Sequence, residues 1–142
     1  MWRLLSFLPL RRQCINMVHQ VTQGIKVSVE TQFEGSFYRE HLKKYAFSYQ
    51  VTIENHSDTQ VQLTSRYWLI KDALNNSEIV EGPGVIGQQP IIEPGGLHAY
   101  NSGCVLVSPY GSMQGYYTMI TPEKEIKVGI PLFKLNAPFA MN

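Results

Sequence analysis

The sequence predicts an all-β domain, a sandwich or a barrel, on three observations. Apolar and polar residues alternate at period two in several stretches; clusters of Gly, Pro, Asn, Asp and Ser divide the chain at short intervals; and no stretch sustains a 3.6-residue apolar period. At 142 residues and 44% hydrophobic content, the chain can close one core and not two. Twelve basic side chains stand against eleven acidic ones, for a net charge of +1, and the only basic pairs are Arg11-Arg12 and Lys43-Lys44. Without a basic stripe to neutralise phosphates, a nucleic-acid partner is not expected.

Residues 1–20 are expected to form a disordered or over-called extension, with Met17 the more natural first residue, and residues 21–142 the single domain. The apolar run from Leu4 to Leu10 is broken by Pro9, carries Arg11 and Arg12 on the wrong side for a secretory signal and is too short to span a bilayer. A weak peripheral anchor is the functional alternative for it; no membrane partner is expected of the domain. Strand pattern begins at Gly24, with Ile25, Val27, Val29 and Phe33 on one parity and Lys26, Ser28, Glu30 and Gln32 on the other. Residues 34–44 (EGSFYREHLKK) have no period and read as a loop, which makes His41 a solvated loop histidine.

Residues 45–54 alternate again, with Tyr45, Phe47, Tyr49, Val51 and Ile53 inward, and Asn55-His56-Ser57-Asp58 supplies the turn chemistry of a hairpin. In the next strand Val61, Leu63, Tyr67 and Leu69 continue the inward face, while Trp68 and Ile70 make its far end apolar on both faces. Residues 72–77 are a turn and residues 78–81 a short strand. Further strands are expected at residues 97–101, 104–107, 114–121 and 125–133, the last with Ile126, Val128, Ile130 and Leu132 alternating.

Between the aromatic strand and this second half lies a G-x-G-x-x-G spacing at Gly82, Gly84 and Gly87. In a dinucleotide-binding fold such glycines open a helix whose N-terminus holds the pyrophosphate. Here Pro90 and Pro94 forbid that helix and Pro83 removes an amide from inside the motif. Two readings stay open: a crossover loop that needs glycine for its turns, and an anion-binding concavity of backbone amides. Arg66, on the strand face opposite Tyr67, is the charge most suited to pair with a carboxylate or phosphate there.

No catalytic or metal-binding constellation is evident. His19, His41, His56 and His98 are scattered, with no pair spaced to seat a metal, and Cys14 and Cys104 form no C-x-x-C. There is no nucleophile elbow and no P-loop. No cofactor is expected, and the two cysteines fit a reducing, cytoplasmic setting. Trp68, Tyr116, Tyr117 and Met119 are apolar on both parities. The stretch with Tyr116, Tyr117 and Met119 forms either a doubly buried central strand or an exposed protein-binding patch, and Trp68 either a core anchor or a recognition platform beside it.

Taken together, Arg66-Tyr67-Trp68-Leu69-Ile70, the run from Gly82 through Gly84-Val85-Ile86-Gly87 and Gln89-Pro90 to Pro94-Gly95, Tyr100 with Ser102-Gly103, Met113-Gln114-Gly115, Tyr117 with Met119, and Ile130-Pro131 with Phe133 and Leu135 resemble the bacterial ApaG family. The resemblance covers residues 21–138 and implies an immunoglobulin-like or fibronectin type III-like β-sandwich. It also implies a family named for a gene neighbour that hydrolyses dinucleoside tetraphosphates and linked to tolerance of divalent cations. Similar domains in eukaryotic F-box proteins and in a polymerase-delta-interacting protein imply protein interaction. Pro83 and Asn101 depart from the family pattern, and Pro83 weakens an amide cradle. The expectation is therefore a non-enzymatic module that binds a partner protein. The alternative is a sensor with a weak phosphate or nucleotide ligand at Arg66, Gly82, Gly84 and Gly87.

Overall fold

In the computed structural model the described residues are 17–138. The expectation for residues 1–16, and for Cys14, lies outside them. Nine strands follow in order: β1 (Met17–Thr22), β2 (Ile25–Arg39), β3 (Leu42–Asn55), β4 (Val61–Asp72), β5 (Glu78–Pro83), β6 (Ile91–Ile92), β7 (Leu97–Leu106), β8 (Tyr110–Ile120) and β9 (Glu125–Asn136). They pair antiparallel into two sheets, ordered β1-β2-β3-β7 and β5-β4-β8-β9. Gln62 of β4 faces Ile91 on one side and Ile120 on the other, so β6 joins β4 on the same side as β5. The sheets pack face to face as a β-sandwich whose core includes Ile25, Val27, Val29, Val51, Ile53, Leu63, Met119, Val128 and Leu135.

Two elements differ from the sequence expectation at the hairpin turns. Met17 to Thr22 is a strand, not the end of an extension, and pairs with β2 through a two-residue turn at Gln23-Gly24. Residues 34–44 are not a loop. They are the distal half of a long β2–β3 hairpin that closes at Glu40-His41. Both turns place positive φ at both central residues, 50° and 83° in the first, 52° and 66° in the second. That is the mark of the type I′ turn, whose twist matches the flanking strands. A Glu-His pair lacks the Asn-Gly or Asp-Gly signature, which is why the turn was illegible.

Three irregularities in register decide which side chains reach the core. One lies in β2 between Phe33 and Gly35, one in β4 between Leu63 and Ser65, and one opposite Gln114, where Pro131 and Leu132 of β9 stand against a single residue of β8. An extra residue moves every following side chain to the other face. In β4, Val61 and Leu63 point inward, but beyond the bulge Trp68 is buried while Tyr67 and Leu69 lie on the outer face. The expectation that Tyr67 and Leu69 continue the inward face is thus corrected. In β9, Phe133 and Leu135 replace Leu132 in the core, and Leu132 is exposed.

One corner of the sandwich is closed. Gly129 of β9 donates its N–H to the Thr22 hydroxyl at 3.2 Å, and a Cβ there would fall 2.3 Å from the Gln20 side-chain nitrogen. The missing side chain lets β1 lap over β9. The opposite corner, between the edges of β5 and β7, stays open.

Candidate functional site

At the open corner the two sheets part around a cleft of ≈ 380 Å³. Its floor and walls are Tyr49 from β3, Arg66, Trp68 and Ile70 from β4, Val80 from β5, and Tyr100, Ser102 and Cys104 from β7. The β4 bulge is what directs Arg66 here, because it sets Arg66, Trp68 and Ile70 on the inward side. On β7, period-two alternation turns Tyr100, Ser102 and Cys104 inward and leaves Asn101, Gly103 and Val105 exposed.

Arg66 is held rather than free. Its Nη1 donates to the carbonyl oxygens of Pro83 and Gly84, at 2.9 Å each. A Cβ on Gly82 would lie 3.4 to 3.6 Å from the guanidinium, an ordinary contact distance, so Gly82 borders the guanidinium without crowding it. No carboxylate lies within ion-pair distance of it among the described residues, where the one ion pair joins His56 and Glu54.

Apart from Glu78, exposed at the rim, the other polar side chains of the cleft, Tyr49, Tyr100, Ser102 and Cys104, carry no formal charge at neutral pH. Burial raises the phenol pKa values of Tyr49, Tyr100 and Tyr117 above the ordinary tyrosine value. Tyr100 and Tyr117 share a hydrogen bond between their hydroxyls. Burial, reinforced by the charges of Glu78 and Asp72, pushes the Cys104 thiol up to about 11. A thiol so placed carries almost no thiolate at neutral pH and is a poor nucleophile.

The glycine motif forms the rim. Between β5 and β6 the chain leaves the edge of β4 at Pro83 and returns at Ile91. Within this excursion the Gly84 N–H donates to the Thr64 carbonyl, and Val85 and Gln88 exchange N–H···O bonds across Ile86-Gly87, a turn with φ of 47° and 73°. Gly84 itself is buried with φ 61°, and a Cβ on it would meet the Gln88 carbonyl oxygen at 2.1 Å. Gly84 and Gly87 are thus required by the backbone. The amides of Gly84, Val85 and Gln88 are already spent on carbonyls, so what the motif turns toward the Arg66 guanidinium is carbonyl oxygen.

The sequence-derived interaction patch is not a surface. Trp68 is 3% exposed, Tyr117 and Met119 are 0% exposed, and all three belong to the core. The reason is that these three side chains lie on the face of β4 and β8 that packs against the other sheet. Tyr116 alone of the four lies on the outer face, half-buried and stacked on Tyr67 with ring centroids 4.9 Å apart. Conversely, Tyr49, Tyr100, Ser102 and Cys104 were missed as site residues. The period-two alternation of β7 would have found the last three, but Ser102-Gly103 reads locally as a turn.

Fold and cleft together define a β-sandwich with a walled recess, one cation among the residues that line it, and no metal-ligating cluster of His, Cys, Asp or Glu among the described residues. The chain belongs to the ApaG family: the family model described as the ApaG domain matches residues 35–121. Protein ApaG of Beijerinckia indica is 39% identical over 125 residues, covering 87% of this chain and 96% of that protein. Protein ApaG of Shewanella sediminis is 46% identical over 116 residues, covering 81% and 92%. Among solved structures, the structural-genomics target SoR45 superposes with a TM-score of 0.77 at 35% identity, covering 81% of this chain and 88% of that one. A crystal structure from Bordetella pertussis assigned the name ApaA gives a TM-score of 0.73 at 34% identity, covering 84% and 95%. No helix among the described residues is long and apolar enough to cross a membrane.

Proposed function

We propose that this chain is a non-enzymatic, cytoplasmic binding module that takes an extended segment of a partner protein onto the open edge of β7. The observation that carries this reading is the composition of that edge. Residues 97–106 (LHAYNSGCVL) contain no charged residue and no proline, and the β3–β7 register runs without a shift. Edge strands that are meant to stay single carry lysine, proline, a bulge or a cover. Elsewhere the edges of this sandwich carry such devices: Glu78, Glu81 and Pro83 on β5, Lys127, Lys134 and Pro131 on β9, and the mutual lapping of β1 and β9. An unprotected ten-residue strand offers a row of main-chain donors and acceptors to an added strand, with Leu97 and Val105 exposed beside it.

A sensor holding pyrophosphate on the glycine loop, tied to dinucleoside polyphosphate or divalent-cation homeostasis, is the second reading. Arg66 favours it; the occupied amides of Gly84, Val85 and Gln88 do not. The edge reading is tested by cross-linked capture from native extract with the wild-type chain and with an Ala99→Lys/Asn101→Lys variant. Both positions are exposed, so the variant should melt with the wild type. A specific partner retained by the wild type and lost by the variant is the expected result. No partner, or one retained equally by both, would overturn it.

A further inference from the structure

We infer that the cleft between β5 and β7 is a binding site for a small ligand that joins an oxyanion, phosphate or carboxylate, to a flat apolar body. Arg66 and the hydroxyls of Tyr49 and Tyr100 hold its charged end. This goes beyond strand docking, since it uses the inward face of β7 and not its edge.

Four observations converge. The first is an uncompensated charge: Arg66 is half-buried, with no carboxylate in ion-pair range among the described residues. Interior guanidinium groups are ordinarily paired, because desolvating a lone charge is costly. The second is preorganisation. With Nη1 fixed on two carbonyls, the guanidinium keeps its orientation. Its Nε and Nη2 have no acceptor among the described residues and remain for a ligand, and a planar fork suits an oxyanion bidentately.

The third is the set of hydroxyl donors. Tyr117 is fully buried and its hydroxyl pairs with that of Tyr100, a bond either oxygen can donate; donation by Tyr117 satisfies its buried proton and leaves that of Tyr100 for the cleft. Ser102 stands opposite Tyr49 in the β3–β7 register and lines the cleft beside it, and the Arg66 charge acts on both Tyr49 and Tyr100. The fourth is shape. The walls beyond the polar end are Trp68, Ile70, Val80 and Met113, and ≈ 380 Å³ falls within the roughly 300–1,000 Å³ of small-molecule pockets. The one carboxylate among the lining residues, Glu78, is exposed at the rim. A cationic ligand therefore meets Arg66 and hydroxyl protons where an anionic one is attracted.

The test is a titration of the full chain, followed by proton–nitrogen NMR correlation spectra, with phenyl phosphate, benzoate, inorganic phosphate and neutral benzyl alcohol. Saturable shifts at the amides of Gly82, Gly84, Ser102 and Cys104 are expected with phenyl phosphate or benzoate. The tighter of the two identifies the anion as phosphate or carboxylate. Arg66→Gln should weaken that binding by about tenfold or more, the scale of a charge-assisted pair. If Arg66→Gln does not fold, Tyr49→Phe, which keeps the ring packed on Trp68 and Phe133, should weaken it by about threefold or more. No saturable shift with either aromatic anion at millimolar concentration would overturn the inference. So would equal response to benzyl alcohol, or unchanged affinity in the variant.

Discussion

Replacing Trp68 by Ala separates the two roles its sequence context allows, core anchor and exposed recognition platform. The indole is 3% exposed and meets three rings edge-on: Tyr49 at 5.7 Å, Phe133 at 5.9 Å and Tyr117 at 6.4 Å between centroids. Truncating a buried large aromatic to Ala costs about 3–5 kcal/mol, the sum of lost transfer energy and of the cavity left behind. Unfolding entropy near 2.1 cal/mol/K per residue, over roughly 120 residues, makes each kcal/mol worth about 4 °C. Trp68→Ala should therefore lower the melting temperature by about 12–20 °C in calorimetry or by far-ultraviolet dichroism. Tyr116→Ala is the control on the outer face of the same sheet. It loses a stack on Tyr67 and a Lys127 ammonium 4.8 Å from its ring centroid. Those contacts are worth about 1 kcal/mol together, or about 4 °C. Equal shifts for the two variants, or a loss at Trp68 below about 1 kcal/mol, would refute the burial argument.

Two further outcomes follow from buried polar groups. Asn55 is 0% exposed; its Nδ2 donates to Thr59 O and Ile92 O, and its Oδ1 accepts from Ser57 N and Oγ. Asn55→Ala strands those partners and should cost about 2–4 kcal/mol in a denaturant melt, with a loss under about 1 kcal/mol contradicting the hub role. In alkali, the buried phenols of Tyr49, Tyr100 and Tyr117 keep their protons beyond pH 10.0, where the unfolded chain gives them up. Stability is thus fully present below pH 10.0 and falls above it as the unfolded state releases protons first. A melting temperature that declines above that pH no more steeply than in Tyr100→Phe would contradict the assignment.

Local pattern determined much of this chain. The inward sets Ile25, Val27, Val29 and Phe47, Tyr49, Val51, Ile53, the turn at Asn55-His56-Ser57, and the exclusion of a nucleotide-binding helix by Pro90 and Pro94 are all settled by residues adjacent in sequence. The requirement for glycine at positions 84 and 87 was likewise legible as a need for tight turns. What the sequence could not show was parity beyond a bulge. The extra residue at Thr64 carries no local signature, and Gly35 beside Glu34 and Pro131 in β9 are compatible with a bulge without fixing it, because a bulge is defined by the partner strand that it slips against. That slip takes Tyr67 and Leu69 out of the core, puts Trp68 into it, and turns Arg66 into the cleft. Whether Tyr117 and Met119 are covered depended on the second sheet, since an apolar strand reads the same in the middle of a sandwich as on its face. The cleft itself joins β3, β4, β5 and β7, and only the packing of two sheets, closed at one corner by Gly129 and open at the other, brings Tyr49, Arg66 and Tyr100 together.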